Sequence, residues 1–365
     1  MTLVRGYADD MALEPWLHEK IWPFEANLES EHVFQGTLLA CAEMIRGGTT
    51  TFCDMYFHEE HGIKAALHAG MRMCPGLVLL GFLPDAARKI ASARTFVREF
   101  RGAGDGLISP VLAPHSLYTC DASQWEQILS IARDENVLIS THASETRREV
   151  GDVTASWGQS PIQTLFKIGA LDRPLLAAHC VHSDERDREI MARTPFRVAH
   201  NPQSSLKLGS GIAPVADYLE RGIVVGLGPD GPASNNNLDM WEEMRLAATL
   251  HKATTGDATA VSARAALEMA TIGGARCLGL EKETGSLEVG KRADIVLVDF
   301  DRPHLMPRHN VVSHLVYAAG ASDVHSTIVD GRFLLRHGEW KTLDVERIGA
   351  ACQQIADELS AKAAA

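Results

Sequence analysis

The chain has 365 residues, 45% of them hydrophobic, and a formal net charge of -12. That apolar content is enough for a large core, and the acidic balance excludes the basic field that nucleic-acid backbones require. No apolar run approaches the roughly 20 residues needed to cross a bilayer, which leaves small polar molecules as the partner class.

The opening segment Met1–Asp10 has no apolar core behind a basic patch, so it does not read as a secretory leader. Seven cysteines without CxxC spacing read as reduced thiols, which predicts a cytoplasmic protein. A helical segment is expected around Trp16–Trp22 and another over Glu29–Arg46, the second stopped by Gly47 and Gly48. Short β-branched or apolar runs then recur at Thr49–Asp54, Met71–Leu80, Ile108–Pro114, Val137–Thr141, Leu175–His179, Phe196–His200 and Ile223–Gly228. Helical patterns alternate with them at Ala86–Arg101, Ser123–Glu135, Pro161–Ile168, Asp184–Arg193 and Ala213–Arg221, and two more follow at Leu238–Lys252 and Val261–Leu280. Such alternation with short connections predicts a parallel sheet with crossover helices.

Beyond Leu280 the pattern changes to glycine turns and short strands at Ala293–Asp299 and Thr327–Leu335, with a turn at Asp330-Gly331. A final helix is expected over Asp344–Ala361, with apolar spacing at Val345, Ile348, Ala351, Ile355 and Leu359. The expected division is therefore a barrel over residues 1–283, a partial β-sandwich unit over 284–341 and a C-terminal helix over 342–365.

An open doubly wound sheet and a closed (β/α)8 barrel both fit this alternation. Six of the seven runs end on or beside a group able to do chemistry: Asp54, His115, His142, His179, Asn201 and Asp230. An open sheet gathers such groups at one switch point, whereas a barrel collects them from nearly every strand at its C-terminal rim. The expectation is a TIM-like barrel with seven strands in place of eight, the first strand falling before Met1.

His142-Ala-Ser-Glu145 at a strand end sets an imidazole and a carboxylate side by side, where a metal-activated water could be shared between them. Taken alone, His142 is equally a hydrogen-bonding residue and Asp230 an anchor for its turn-rich loop. His182, in the loop after His179, reads as structural. The functional reading rests on coincidence: His115, His142, Glu145, His179 and Asp230 would all meet on one rim.

The stretches Ile21-Trp-Pro-Phe-Glu25, Ala113-Pro-His-Ser, Thr141-His-Ala-Ser-Glu-Thr, Ala178-His-Cys-Val-His, His200-Asn-Pro-Gln-Ser-Ser-Leu-Lys and Asp230-Gly-Pro-Ala-Ser-Asn-Asn resemble the amidohydrolase superfamily, and within it the methylthioadenosine and S-adenosylhomocysteine deaminases. The resemblance covers essentially the whole chain. It implies a metal-dependent hydrolase barrel acting as an aminohydrolase on an adenosine-like nucleoside or related nitrogen heterocycle. It further implies one divalent metal, zinc first and iron second, with His142 and Asp230 as ligands. Glu145 becomes the proton shuttle, Asp230 and His179 act at the reacting carbon, and Glu25 and His115 contact substrate together with Glu145 and His179. A homo-oligomer is compatible with it.

The family pattern also has His-x-His on a first strand, and none of the sixteen histidines forms that motif. His58-Glu-Glu-His61 is no substitute, reading as a solvated helix start. The expectation is that Met1 is an internal methionine of a longer protein. Cys74-Pro-Gly-Leu-Val-Leu-Leu lacks an arginine that the resemblance associates with homocysteine-type substrates, and Pro229 precedes the aspartate where the family has threonine. The alternatives left open are a triazine or guanine-type hydrolase and a catalytically inactive barrel.

Overall fold

The computed structural model describes residues 2–363. Its larger sheet has seven parallel strands: β1 Thr51–Tyr56, β2 Arg72–Leu79, β3 Val111–Pro114, β4 Ile139–Ala143, β5 Leu175–His179, β6 Phe196–His200 and β7 Val224–Leu227. The strands pair in sequence order without reversal. A doubly wound sheet would change direction at a switch point, so the order identifies a curled, barrel-type α/β sheet. Among the described residues no strand joins the outer edges of β1 and β7.

The strands read as near-continuous apolar runs because helices cover them. Every residue of β2 and β3 is buried, as expected for a parallel sheet. The main core lies between sheet and helices, with Trp125, Ile128, Val153, Leu165 and Tyr218 packed on residues such as Leu112, Leu175 and Val198. Gly226 in β7 lets the helix Gly274–Leu278 come close, since a Cβ there would lie 2.9 Å from Gly274 Cα.

Most boundaries fall where the sequence places them. The helix Ser30–Arg46 starts on a reciprocal box between Glu29 and His32 and ends at Gly47, with Gly48 at φ +83°. Asp54 departs from expectation: β1 continues to Tyr56, pairing Asp54 with Pro75, so this carboxylate lies within the strand and not at its end. Strand β4 also runs further than expected and contains His142. The helix Glu59–Ala69 begins where His58-Glu-Glu-His61 reads as a helix start, and the helix Arg147–Trp157 occupies a segment the sequence reading leaves open. His58 caps the first of them in a left-handed conformation, with its Nδ1 3.2 Å from Ser30 Oγ.

The smaller sheet is antiparallel, in the order β11 Glu339–Trp340, β10 Arg332–Arg336, β9 Val324–Val329 and β8 Ile295–Val298. Asp330 and Gly331 turn β9 into β10 at φ +49° and +77°, the two positive values that a tight hairpin needs. This sheet is joined to the larger one by a buried bidentate ion pair. Arg72 Nε and Nη2 reach Asp294 Oδ2 and Oδ1 at 3.0 and 3.1 Å. The C-terminal helix Val345–Ala363 buries Ile348, Cys352 and Leu359. No helix among the described residues is long and apolar enough to cross a membrane.

Candidate active site at the strand ends

Strand register sends alternate side chains inward, and the C-terminal rim gathers those at strand ends. His115 follows β3, His142 closes β4, His179 ends β5 and Asp230 follows β7. Together with Glu145 and Glu25 they line one cavity of about 800 Å³. The structure therefore brings all six expected site residues together. Asp54 and Asn201 line the same cavity, while His182 lies apart, its Nε2 2.7 Å from the Ser210 carbonyl.

The imidazoles form a chain across the rim. Ring centroids of His115 and His142 are 4.6 Å apart, and those of His142 and His179 are 5.4 Å apart and nearly parallel. His142 Nδ1 lies 2.9 Å from the His115 carbonyl. A carbonyl only accepts, so the proton sits on Nδ1 and the Nε2 lone pair is free to bind a metal. Burial holds the rings of His115, His142 and His179 below the usual imidazole range, the first two aided by repulsion from neighbouring imidazoles. They are neutral at physiological pH, the form that coordinates.

The carboxylates divide into two kinds. Burial pushes Glu145 up to about 7, with Asp230 adding repulsion and His142 opposing it. Its Oε2 is 3.7 Å from His179 Nε2, and Ser210 Oγ donates to its Oε1 at 3.3 Å. Because burial disfavours charge on both partners, this contact is a neutral imidazole facing a carboxyl that titrates near neutrality. Asp230 goes the other way. Burial raises it, but His179, His142 and two serine hydroxyls outweigh that and leave it below the usual carboxylate range. Ser204 and Ser234 each donate to its Oδ2 at 2.7 Å, and the Gly231 N–H donates to Oδ1 at 2.7 Å. Burial also lifts Glu25 to about 7, against the hydrogen bond from Tyr56.

An ionised acid beside a protonatable one is the pairing that proton-transfer chemistry needs. The imidazole and carboxylate of His142 and Asp230 suit a divalent transition ion in kind. In number they fall short: among the described residues no group of three or more His, Cys, Asp or Glu is placed to hold an ion.

Several supporting residues escape the sequence reading. Glu149 is buried and accepts the backbone N–H groups of Ser144 at 2.9 Å and Glu145 at 2.6 Å. Ser144 has φ +56°, so this carboxylate stabilises a left-handed residue immediately before Glu145. Glu243, also buried, accepts from Asn235 Nδ2 at 2.6 Å and from the Gln203 N–H at 3.3 Å, tying the loops after β6 and β7 together. The serines around Asp230 and these two acids carry no periodic signal.

Comparison with known proteins identifies the family. The model of the amidohydrolase family matches residues 1–334. A 5-methylthioadenosine/S-adenosylhomocysteine deaminase of Pelotomaculum thermopropionicum is 47% identical over 354 residues, covering 97% of this chain and 82% of that protein. The enzyme of the same name from Moorella thermoacetica is 49% identical, covering 96% and 82%. A zinc-bound adenosine deaminase from Xanthomonas campestris superposes with a TM-score of 0.95 at 38% identity, covering 99% of this chain and 83% of that one. Atrazine chlorohydrolase from Arthrobacter aurescens, complexed with zinc, gives 0.87 at 25% identity, covering 97% and 83%.

Proposed function

The chain belongs to the amidohydrolase family, and from that premise we propose that its rim hydrolytically deaminates an adenosine-type nucleoside. The observation that carries this reading is the pairing of Glu145, which titrates near 7, with a buried neutral His179 beside an ionised Asp230.

His142 Nε2 and Asp230 are the chain's donors to a divalent metal, zinc first because similar structures hold zinc, and iron second. A catalytic zinc takes at least three protein ligands, so these two leave part of its coordination to other groups. When bound, the ion supplies Lewis acidity and lowers the pKa of water.

The remaining work falls to side chains of this chain. Asp230 accepts a hydrogen bond from the attacking water and aims it at the ring carbon that bears the amine. Glu145 takes a proton from that water and returns it to the neighbouring ring nitrogen. His179 hydrogen-bonds to the tetrahedral centre, whose new hydroxyl gives its proton by way of Asp230 to the departing amine, so that the C–N bond breaks, the carbonyl forms and ammonia leaves. His115 packs beside His142, and Glu25 accepts from substrate hydroxyls. Supplying zinc to the full chain and assaying ammonia release from adenosine and methylthioadenosine tests the proposal. Glu145→Gln should remove the activity and leave bound zinc unchanged.

A second reading has one observation behind it. With two donors among the described residues, the chain can be a binding barrel without turnover. It predicts nucleoside binding with no ammonia release at any zinc concentration.

A further inference from the structure

His182 reads as structural in the sequence, and in the fold it ties the segments after β4, β5 and β6 together. Its backbone N–H donates to the Ser144 carbonyl at 2.9 Å. Ser144 is thereby held from both sides, since Glu149 accepts its N–H at 2.9 Å. The His182 imidazole turns the other way, with Nε2 2.7 Å from the carbonyl of Ser210, beyond the short helix Pro202–Lys207. Because a carbonyl offers no proton, the ring carries one on Nε2.

Ser210 connects this contact to the chemistry. It is buried, and its hydroxyl donates to Glu145 Oε1 at 3.3 Å. Its own N–H is held within its loop by the Ser205 carbonyl at 2.9 Å. Among the described residues only His182 donates to its carbonyl. The next peptide lies close against the same imidazole: Gly211 has φ +122°, and a Cβ there would be 3.0 Å from Val181 Cγ1 and 3.5 Å from His182 Cε1. A serine side chain is too short to reach far from its backbone, so the place of this hydroxyl depends on what holds the Ser210 peptide. The two oxygens of Glu145 consequently differ. Oε1 is engaged by Ser210, whereas Oε2 faces His179 Nε2 at 3.7 Å, beyond hydrogen-bond length.

We infer that His182 is a positioning residue for the proton shuttle: through the Ser210 peptide it holds Glu145 Oε1 and leaves Oε2 as the oxygen that exchanges the proton. The inference rests on the deaminase reading above and adds which oxygen works and what fixes it. A ring present only to fill space has no need of a donor nitrogen, and that difference supplies the test.

The full zinc-supplied chain and its variants are compared by kcat and KM for methylthioadenosine, with each rate divided by the folded fraction. His182→Phe keeps a ring and removes the donor. It should lower kcat about 10-fold with KM within about twofold, the lower end of what a small misplacement costs. His182→Gln sets an amide N–H near the place of the Nε2 proton and should recover most of that loss. Ser210→Ala should cost at least as much as His182→Phe, and combining the two should add nothing further, because they act in series. Wild-type kcat in His182→Phe overturns the inference, as do losses that multiply in the double variant. The same link is read without turnover from the carboxyl carbon NMR resonance of Glu145, identified by its disappearance in Glu145→Gln. His182→Phe should shift that resonance and His182→Gln should shift it less. A resonance that His182→Phe leaves in place overturns the inference. A wild-type chain that binds zinc and releases no ammonia overturns the deaminase reading instead, and the resonance then decides whether His182 positions Glu145.

Discussion

The carboxylate of Glu149 accepts the backbone N–H of Glu145 at 2.6 Å while also holding Ser144 in a left-handed conformation. One buried acid thus fixes the point from which another departs toward His179. Glu149→Gln keeps the shape but has one acceptor oxygen where two N–H groups point. Its expected effect is a fall in kcat of about 10- to 100-fold, the scale of a small misplacement, with KM unchanged. Dividing kcat by the folded fraction found from denaturant unfolding separates this from general destabilisation, which lowers active enzyme and leaves the rate per folded molecule unchanged.

Asp230 is kept ionised partly by the hydroxyls of Ser204 and Ser234. Replacing both with alanine removes two hydrogen bonds that favour the charged form, so the Asp230 pKa rises. Protons then compete with metal at higher pH. Zinc affinity should fall about 10- to 100-fold at neutral pH, as for other groups that orient metal ligands, and fall further in acid. Competition with a chelating dye at two pH values measures it. A loss that does not grow in acid would contradict this account of the serines.

Glu243 links the loops after β6 and β7, and burial lifts it to about 8 despite hydrogen bonds from Gln203 and Asn235. A folded-state pKa raised above the unfolded value gives a contribution that is full below about 4.5 and lost as pH rises through about 8. The wild-type chain should therefore lose stability from this group between pH 5 and pH 8. Glu243→Gln should show a shallower decline over that window, by on the order of 1–3 kcal/mol. Urea midpoints at the two pH values supply the comparison, in which groups common to both proteins cancel.

Arg72 and Asp294 join the two sheets with both side chains about 1% exposed. Removing one partner leaves a buried charge uncompensated, so Arg72→Met should cost about 3–5 kcal/mol. The double change with Asp294→Leu should recover much of that, because an apolar pair replaces a charged one. Denaturant unfolding of the two single variants and the double variant closes the cycle.

The barrel sheet is legible from sequence because parallel strands covered on both faces leave continuous apolar runs, as in Met71–Leu80 and Leu175–His179. The rim is legible because those runs end on His142, His179 and Asp230. The Asp330-Gly331 hairpin is legible because two positive φ values are needed there. What escapes is whatever looks solvated when read locally. Helix Arg147–Trp157 buries only Glu149 and Val153, so it shows little apolar stripe. Glu149 and Glu243 sit in helical first turns, where an acid is ordinarily exposed and favoured by the helix dipole. Ser204 lies in the short helix Pro202–Lys207 and Ser234 in a turn, and a lone hydroxyl in either setting carries no local sign that it seats a carboxylate.

The most direct test of the central claim is ammonia release from methylthioadenosine by the full zinc-supplied chain, measured beside its Glu145→Gln variant with bound zinc determined in both. The account predicts release by the first, a loss of at least about 100-fold in the second, as expected for a missing proton-transfer group, and equal zinc in the two. Equal release from both proteins would contradict it, as would no release from a wild-type chain that holds zinc and binds the nucleoside.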